Sequence, residues 1–163
     1  MPVKLRNMTP GEYEYFYQWS VEHQAAELME ELQLSLEEAT QETVAEVAEM
    51  LPAGLNTEHH HLMTIVEGDT GENAGFIWTI HEETAGRKQS FVCDFTIWEP
   101  YRRKGYGTNA LYLAENLAAE AGCQESVLFV RDNNDPAKAL YQKCGYRILR
   151  SEGQGSYMLK PLL

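Results

Sequence analysis

Between Trp98 and Thr108 the chain reads Trp-Glu-Pro-Tyr-Arg-Arg-Lys-Gly-Tyr-Gly-Thr. Three successive cations, Arg102, Arg103 and Lys104, run into glycines at 105 and 107. Glycines let the backbone approach an anion with no side chain in between. If a helix starts here, its first N–H groups point at that anion, and its N-terminus carries a partial positive charge. Residue types and spacing together describe a turn for a diphosphate. Other phosphate loops do not fit: GxxxxGK[ST] is absent, and so is GxGxxG after a first strand.

The flanks supply the context this turn needs. Residues 90–98 read as a strand, with Phe91, Cys93, Phe95 and Ile97 expected on one side. Residues 108–121 read as a helix, with Leu111, Leu117, Ala118 and Ala121 expected to face inward and Gly122 to end it. Upstream, residues 3–6 alternate as a short strand, and Thr9-Pro10 opens a helix continuing to about residue 34. Ser35 and Glu38 form a capping-box pair for a second helix to about Met50, with Val44, Val47, Ala48 and Leu51 as its stripe. Strands at 62–66 and 74–80 flank the turn at residues 68–71. Downstream come a strand at 126–130, a helix at 136–144 capped by Asp135, and strands at 146–149 and 156–159. The order is βααβββαβαββ, a mixed α/β sheet with helices on its faces.

Composition narrows the class. A chain of 163 residues suits one domain spanning 1–163. No apolar run reaches the ~18 residues of a bilayer span, and residues 1–7 are not followed by the apolar stretch of a secretory signal. Cys93, Cys123 and Cys144 lack CxxC spacing and fit free thiols in a reducing compartment, so a cytoplasmic location and no membrane are expected. The net charge of -12 argues against a nucleic-acid partner. That charge is uneven: residues 7–86 hold 17 acidic and no Lys or Arg residues, whereas the remainder holds 13 basic against 8 acidic. Such asymmetry suggests two faces with different electrostatic tasks, or acidic helices kept for solubility.

At the glycine turn the chain resembles the GNAT superfamily of N-acetyltransferases. Arg102, Gly105 and Gly107 match its [QR]xxGx[GA] pyrophosphate loop. A second motif follows: Val130, Asn134, Ala137, Leu140, Tyr141, Gly145 and Tyr146 match VxxxNxxAxxLYxxxG[FY]. The element order from Val3 to Leu159 also matches, so the resemblance covers nearly the whole chain. Residues 51–55 and the run His59-His60-His61-Leu62 look like an uncharacterised bacterial subgroup of that superfamily.

The resemblance implies a mainly antiparallel sheet of about seven strands, splayed between the fourth and fifth, with helices on both faces. It also implies acetyl-CoA as cosubstrate and direct attack of a neutral amine on the thioester in a ternary complex. Backbone groups of Thr96, Ile97 and Trp98 would hold the pantetheine and acetyl carbonyl. Backbone N–H groups of Arg103, Lys104, Gly105, Tyr106, Gly107 and Thr108 would hold the pyrophosphate, supported by the Arg102 side chain. Tyr141 corresponds to the thiolate-protonating tyrosine, and a phenol of pKa ~10 suits a thiol of pKa ~8.5. The alternative is a helical core aromatic. Asn134 would contact the pantetheine arm or cap its helix, with Asp135 available to cap instead. Asp94 leads as general base, beside His81, Glu82, Glu83 and ordered water.

No metal is expected. Successive histidines in an extended segment point in alternating directions, so His59, His60 and His61 cannot readily share one ion. The acceptor is an amine, and the acidic helices together with Tyr13, Tyr15, Phe16, Tyr17 and Trp19 favour a cationic one such as a polyamine. The competing reading is a non-catalytic acyl-CoA-binding sensor or scaffold. A homodimer fits the superfamily's habits.

Overall fold

The computed structural model describes residues 2–162. They form two compact units, one of residues 8–60 and one of the chain on either side of it.

The first unit is helical because two caps start it twice. Thr9 accepts from the Glu12 N–H (3.1 Å) and Glu12 reaches back to the Thr9 N–H (2.9 Å), opening α1 (Pro10–Leu32) with proline at its first position. Ser35 and Glu38 repeat the device for α2 (Leu36–Met50). Between them Gln33 takes φ +56, the left-handed turn that stops α1. The buried stripe of α2 is Ala39, Thr43, Val47, followed by Leu51. Val44 and Ala48, expected inside, are exposed. The i, i+4 series from Ala39 takes the inner face, where Thr43 tolerates burial by donating to the Ala39 carbonyl at 2.8 Å.

The second unit holds a seven-stranded sheet in the order β1-β2-β3-β4-β5-β7-β6. Its strands are β1 (Val3–Asn7), β2 (His60–Glu67), β3 (Asn73–Thr84), β4 (Arg87–Ile97), β5 (Glu125–Arg131), β6 (Arg147–Glu152) and β7 (Gly155–Pro161). The expected mixed, mainly antiparallel sheet is therefore present. Its one parallel pair, β4 with β5, extends only from Gln89↔Glu125 to Val92↔Leu128. Beyond Val92, β4 continues to Ile97 on β3 and β5 continues to Arg131 on β7, so the strands part. Helices α3 (Tyr106–Glu120) and α4 (Asp135–Lys143) belong to the same unit.

The parting coincides with a β-bulge. Thr79 pairs with Val92 but Trp78 pairs with Asp94, leaving Cys93 as the extra residue. The bulge overturns the expected single face of Phe91, Cys93, Phe95 and Ile97. Val92, Phe95 and Ile97 share the core with Leu128, Val130 and Met158 and with Ala110, Leu111 and Ala114 of α3, whereas Phe91 points the other way. A strict period of two cannot survive one inserted residue. On α3, Leu111 and Ala118 are buried as expected, but Leu117 (43% exposed) and Ala121 are outside. The small residues Ala110 and Ala114 take the inner positions instead, allowing close approach to the sheet.

Candidate functional site

The carboxyl end of β4 leads into the glycine turn. Trp98 still donates to the Ala74 carbonyl (2.9 Å), and Glu99–Tyr101 then make one 3-10 turn with Pro100 as its second residue. Arg103 (φ +63) and Gly105 (φ +78) both take left-handed backbone. Gly105 is the N-cap of α3, and Asn109 is the first residue to donate back, to Gly105 at 3.2 Å. The N–H groups of Tyr106, Gly107 and Thr108 therefore precede any intrahelical acceptor and are available to an anion.

The two glycines differ in what they require. At 105 a Cβ meets nothing within 4 Å, and the left-handed φ alone selects glycine. At 107 a Cβ would stand 3.7 Å from Leu140 and Phe95 and 3.8 Å from Ile97, ordinary contact distances. Internal packing therefore does not demand Gly107. A side chain there would project between the end of β4 and α4, the corridor from the turn to the strand gap.

Side chains that sequence reasoning passed over hold the turn. Tyr101 donates to Glu72 at 2.6 Å, and Tyr106 donates to Glu67. That bond is the largest cause holding the Tyr106 phenol up at about 12, and it keeps Glu67 below the usual carboxylate range. Trp98 Nε1 donates to Asn73 at 3.0 Å. The Lys104 ammonium sits 5.9 Å from the ring centres of both Tyr101 and Tyr106. Glu67, Glu72 and Asn73 carried no local signal, because their partners lie between 25 and 39 residues away in sequence. Arg102 also turns inward: its Nε donates to the Ile97 carbonyl at 2.8 Å, fastening the last residue of β4.

Across the gap stands α4. Asn134, not Asp135, caps it: Asn134 Oδ1 accepts from the Ala137 N–H at 3.3 Å, while Asp135 is the first helical residue. From the position before the helix a side chain reaches the free first-turn N–H of Ala137, so Asn134 is tied to the helix rather than left to a ligand. Tyr141 packs against the core cluster, edge-on to Tyr146 with ring centres 5.9 Å apart. Burial, then the charge of Asp94, pushes its hydroxyl up to about 12, so it stays protonated at neutral pH. Among the described residues no hydrogen bond engages that hydroxyl.

Asp94 reaches the gap from the other side. Its cross-strand partner Trp78 lies between Ile77 of the core and Thr79, so the pair occupies the sheet face opposite α3. Asp94 Oδ1 accepts from the Phe95 N–H at 2.9 Å. The gap thus has a carboxylate on one face and a protonated phenol on the other. Of the remaining candidates, His81 is buried with its ring 4.1 Å from that of His61, while Glu82 and Glu83 are exposed. His59 takes φ +68 and lies 3.5 Å from Glu58, so it and His61 are engaged separately.

Known proteins resemble this chain in sequence and fold. The family model described as "Acetyltransferase (GNAT) family" matches residues 14–146. The N-acetyltransferase YdgE of Bacillus subtilis (strain 168), named as uncharacterised, is 30% identical over 146 residues, covering 90% of this chain and 92% of that protein. The crystal structure of the YycN acetyltransferase of Bacillus subtilis superposes with a TM-score of 0.81 at 27% identity, covering 93% of this chain and 98% of that one. At 18% identity, the PaiA N-acetyltransferase of Thermoplasma acidophilum, in complex with coenzyme A, shares the fold with a TM-score of 0.71 over 99% of both chains.

Proposed function

This chain belongs to the acetyltransferase (GNAT) family, and from that membership we infer that it transfers an acetyl group from acetyl-CoA to an amine by direct attack in a ternary complex. The observation that carries the reading is the gap between β4 and β5, with a glycine turn at its mouth and Asp94 and Tyr141 on opposite faces. The N–H groups at 106–108, with those of the preceding turn from Arg103, receive the pyrophosphate. The end of β4 beyond its last pair with β5, at Thr96 and Ile97, together with Trp98 that follows, orients the pantetheine arm and acetyl carbonyl. Arg102 acts by fixing Ile97 at that edge.

Chemistry then needs one proton removed and one supplied. The amine attacks the thioester carbon, and Asp94, directly or through water, takes the proton it releases. The tetrahedral intermediate collapses with cleavage of the C–S bond. Tyr141, still protonated at neutral pH, gives its proton to the departing thiolate. The field of a chain with net charge -12, with twelve glutamates and no Lys or Arg in residues 8–60, draws cationic amines towards it.

Calorimetric titration with acetyl-CoA, with ATP and NAD alongside, tests the reading. Selective micromolar binding is expected, together with thiol release once an amine is added. Gly107→Val is expected to lose acetyl-CoA binding, because its branched side chain would project into the corridor between the end of β4 and α4, and a melting curve alongside separates that loss from unfolding. Absence of binding in the parent protein would overturn the reading.

A further inference from the structure

Strand alternation sets a second group of side chains on the sheet face away from α3 and α4. Leu128 and Val130 enter the core, so Phe129 faces outward; Met158 does, so Tyr157 faces outward; Val92 does, so Phe91 faces outward. Phe129 and Tyr157 are direct cross-strand partners, their rings 5.0 Å apart and edge-on at 82°. Phe91 adds a third ring 6.4 Å from Tyr157. Phe129 is held in place: a Cβ at Gly155 would stand 2.3 Å from its ring, so glycine there makes the space the ring occupies. Even so, Phe129 remains 37% exposed.

This aromatic surface adjoins the gap. Phe129 is the first residue of β5 after the last pair with β4, and Asp94 lies on the same face of β4. At the far end the Arg150 guanidinium lies 4.4 Å over the Tyr157 ring, with Glu152 at 3.9 Å. The surface therefore runs from a carboxylate at the gap, across three rings, to a cation on the edge strand β6.

We propose that this surface is the acceptor platform and that it selects a monoamine carried on an aromatic body. The inference rests on the transferase reading above. The thioester in the gap is approached from one face by the pantetheine arm, which leaves the opposite face for the amine. The ammonium is drawn to the Asp94 end, and the ring packs edge-on or offset against Phe129 and Tyr157. A linear polyamine laid the same way would bring its distal cation to Arg150.

The test compares phenethylamine with spermidine at saturating acetyl-CoA, reading thiol release. The parent protein is expected to favour phenethylamine in kcat/KM by tenfold or more. Phe129→Ala is expected to lower that ratio about tenfold through a raised KM for phenethylamine, the order of one lost aromatic contact with its buried area. Phe129→Leu, which keeps an apolar side chain beside Gly155, should fall between the two. Preference for spermidine, an unchanged ratio in Phe129→Ala, or turnover of neither amine by a protein that binds acetyl-CoA would each overturn the platform and leave cosubstrate binding standing. Failure of the parent protein to bind acetyl-CoA would instead remove the transferase reading, and the platform with it.

Discussion

Tyr141 and Tyr146 are five residues apart and their rings touch, yet their surroundings have opposite characters. The Tyr146 hydroxyl is locked: it donates to Glu115 (2.9 Å) and lies 2.7 Å from Ser126, while Lys160 donates to the other Glu115 oxygen at 2.7 Å. That network joins α3, β5, β7 and the end of α4, and a buried carboxylate is tolerable there because both of its oxygens are engaged. The Tyr141 hydroxyl has no such partner among the described residues, and the nearby charge it feels most is that of Asp94. One phenol is tied into the fold; under the proposed mechanism the other is the proton donor.

Substitutions that remove one hydroxyl at a time sharpen the contrast. The largest effect is expected from Tyr141→Phe on kcat, a fall of about a hundredfold, as for loss of a general acid. Its acetyl-CoA affinity should hold, and its stability should stay within about 0.5 kcal/mol. Steady-state kinetics beside denaturant unfolding would check both, and unchanged kcat would remove Tyr141 from the chemistry. Tyr146→Phe should behave inversely, losing about 1–2 kcal/mol of unfolding free energy because Glu115 forfeits a buried donor. Its kcat should move little, and a large kcat defect would mean that the network also positions the site.

The smallest expected effect concerns alkaline pH. The Tyr141 phenol has its usual pKa of 10.0 when unfolded and about 12 when folded. As pH rises past 10 the unfolded chain sheds this proton while the folded one keeps it, so stability falls. Between pH 8 and pH 11 this one group should cost about 1 kcal/mol. Tyr146, whose pKa is also raised, adds to the loss. In Tyr141→Phe the drop from pH 8 to pH 11 should shrink by that amount, and an equal drop in both proteins would place Tyr141 in a less buried setting.

Much of this arrangement is legible in the sequence because its signals are local. Thr9 with Pro10, Ser35 with Glu38, and Gly105 with Gly107 each mark a helix start within a few residues, and those helices begin close to where the spacing puts them. What escaped is what depends on distant partners or on counting. The bulge at Cys93 has no mark of its own, so alternation assigned Phe91 to the wrong face. The cap of α4 falls to Asn134 by one residue of geometry. Glu67 and Glu72 carry no local sign of a role, since Tyr106 and Tyr101 reach them only in the folded chain. Gly155 reads as turn punctuation, although the ring of Phe129 is what excludes a larger residue there.

The shortness of the β4–β5 pairing has a mechanical meaning. The sheet consists of two antiparallel plates, β1 to β4 and β5 to β6, stitched by four residue pairs between Gln89 and Val92 on one side and Glu125 and Leu128 on the other. A seam that short is the natural flexing line of the sheet, and α3, which packs on β1, β3, β4 and β5, is the splint across it. Any molecule wedged into the open end bears on both plates at once. The seam's amide protons would then report occupancy by exchanging more slowly when the gap is filled.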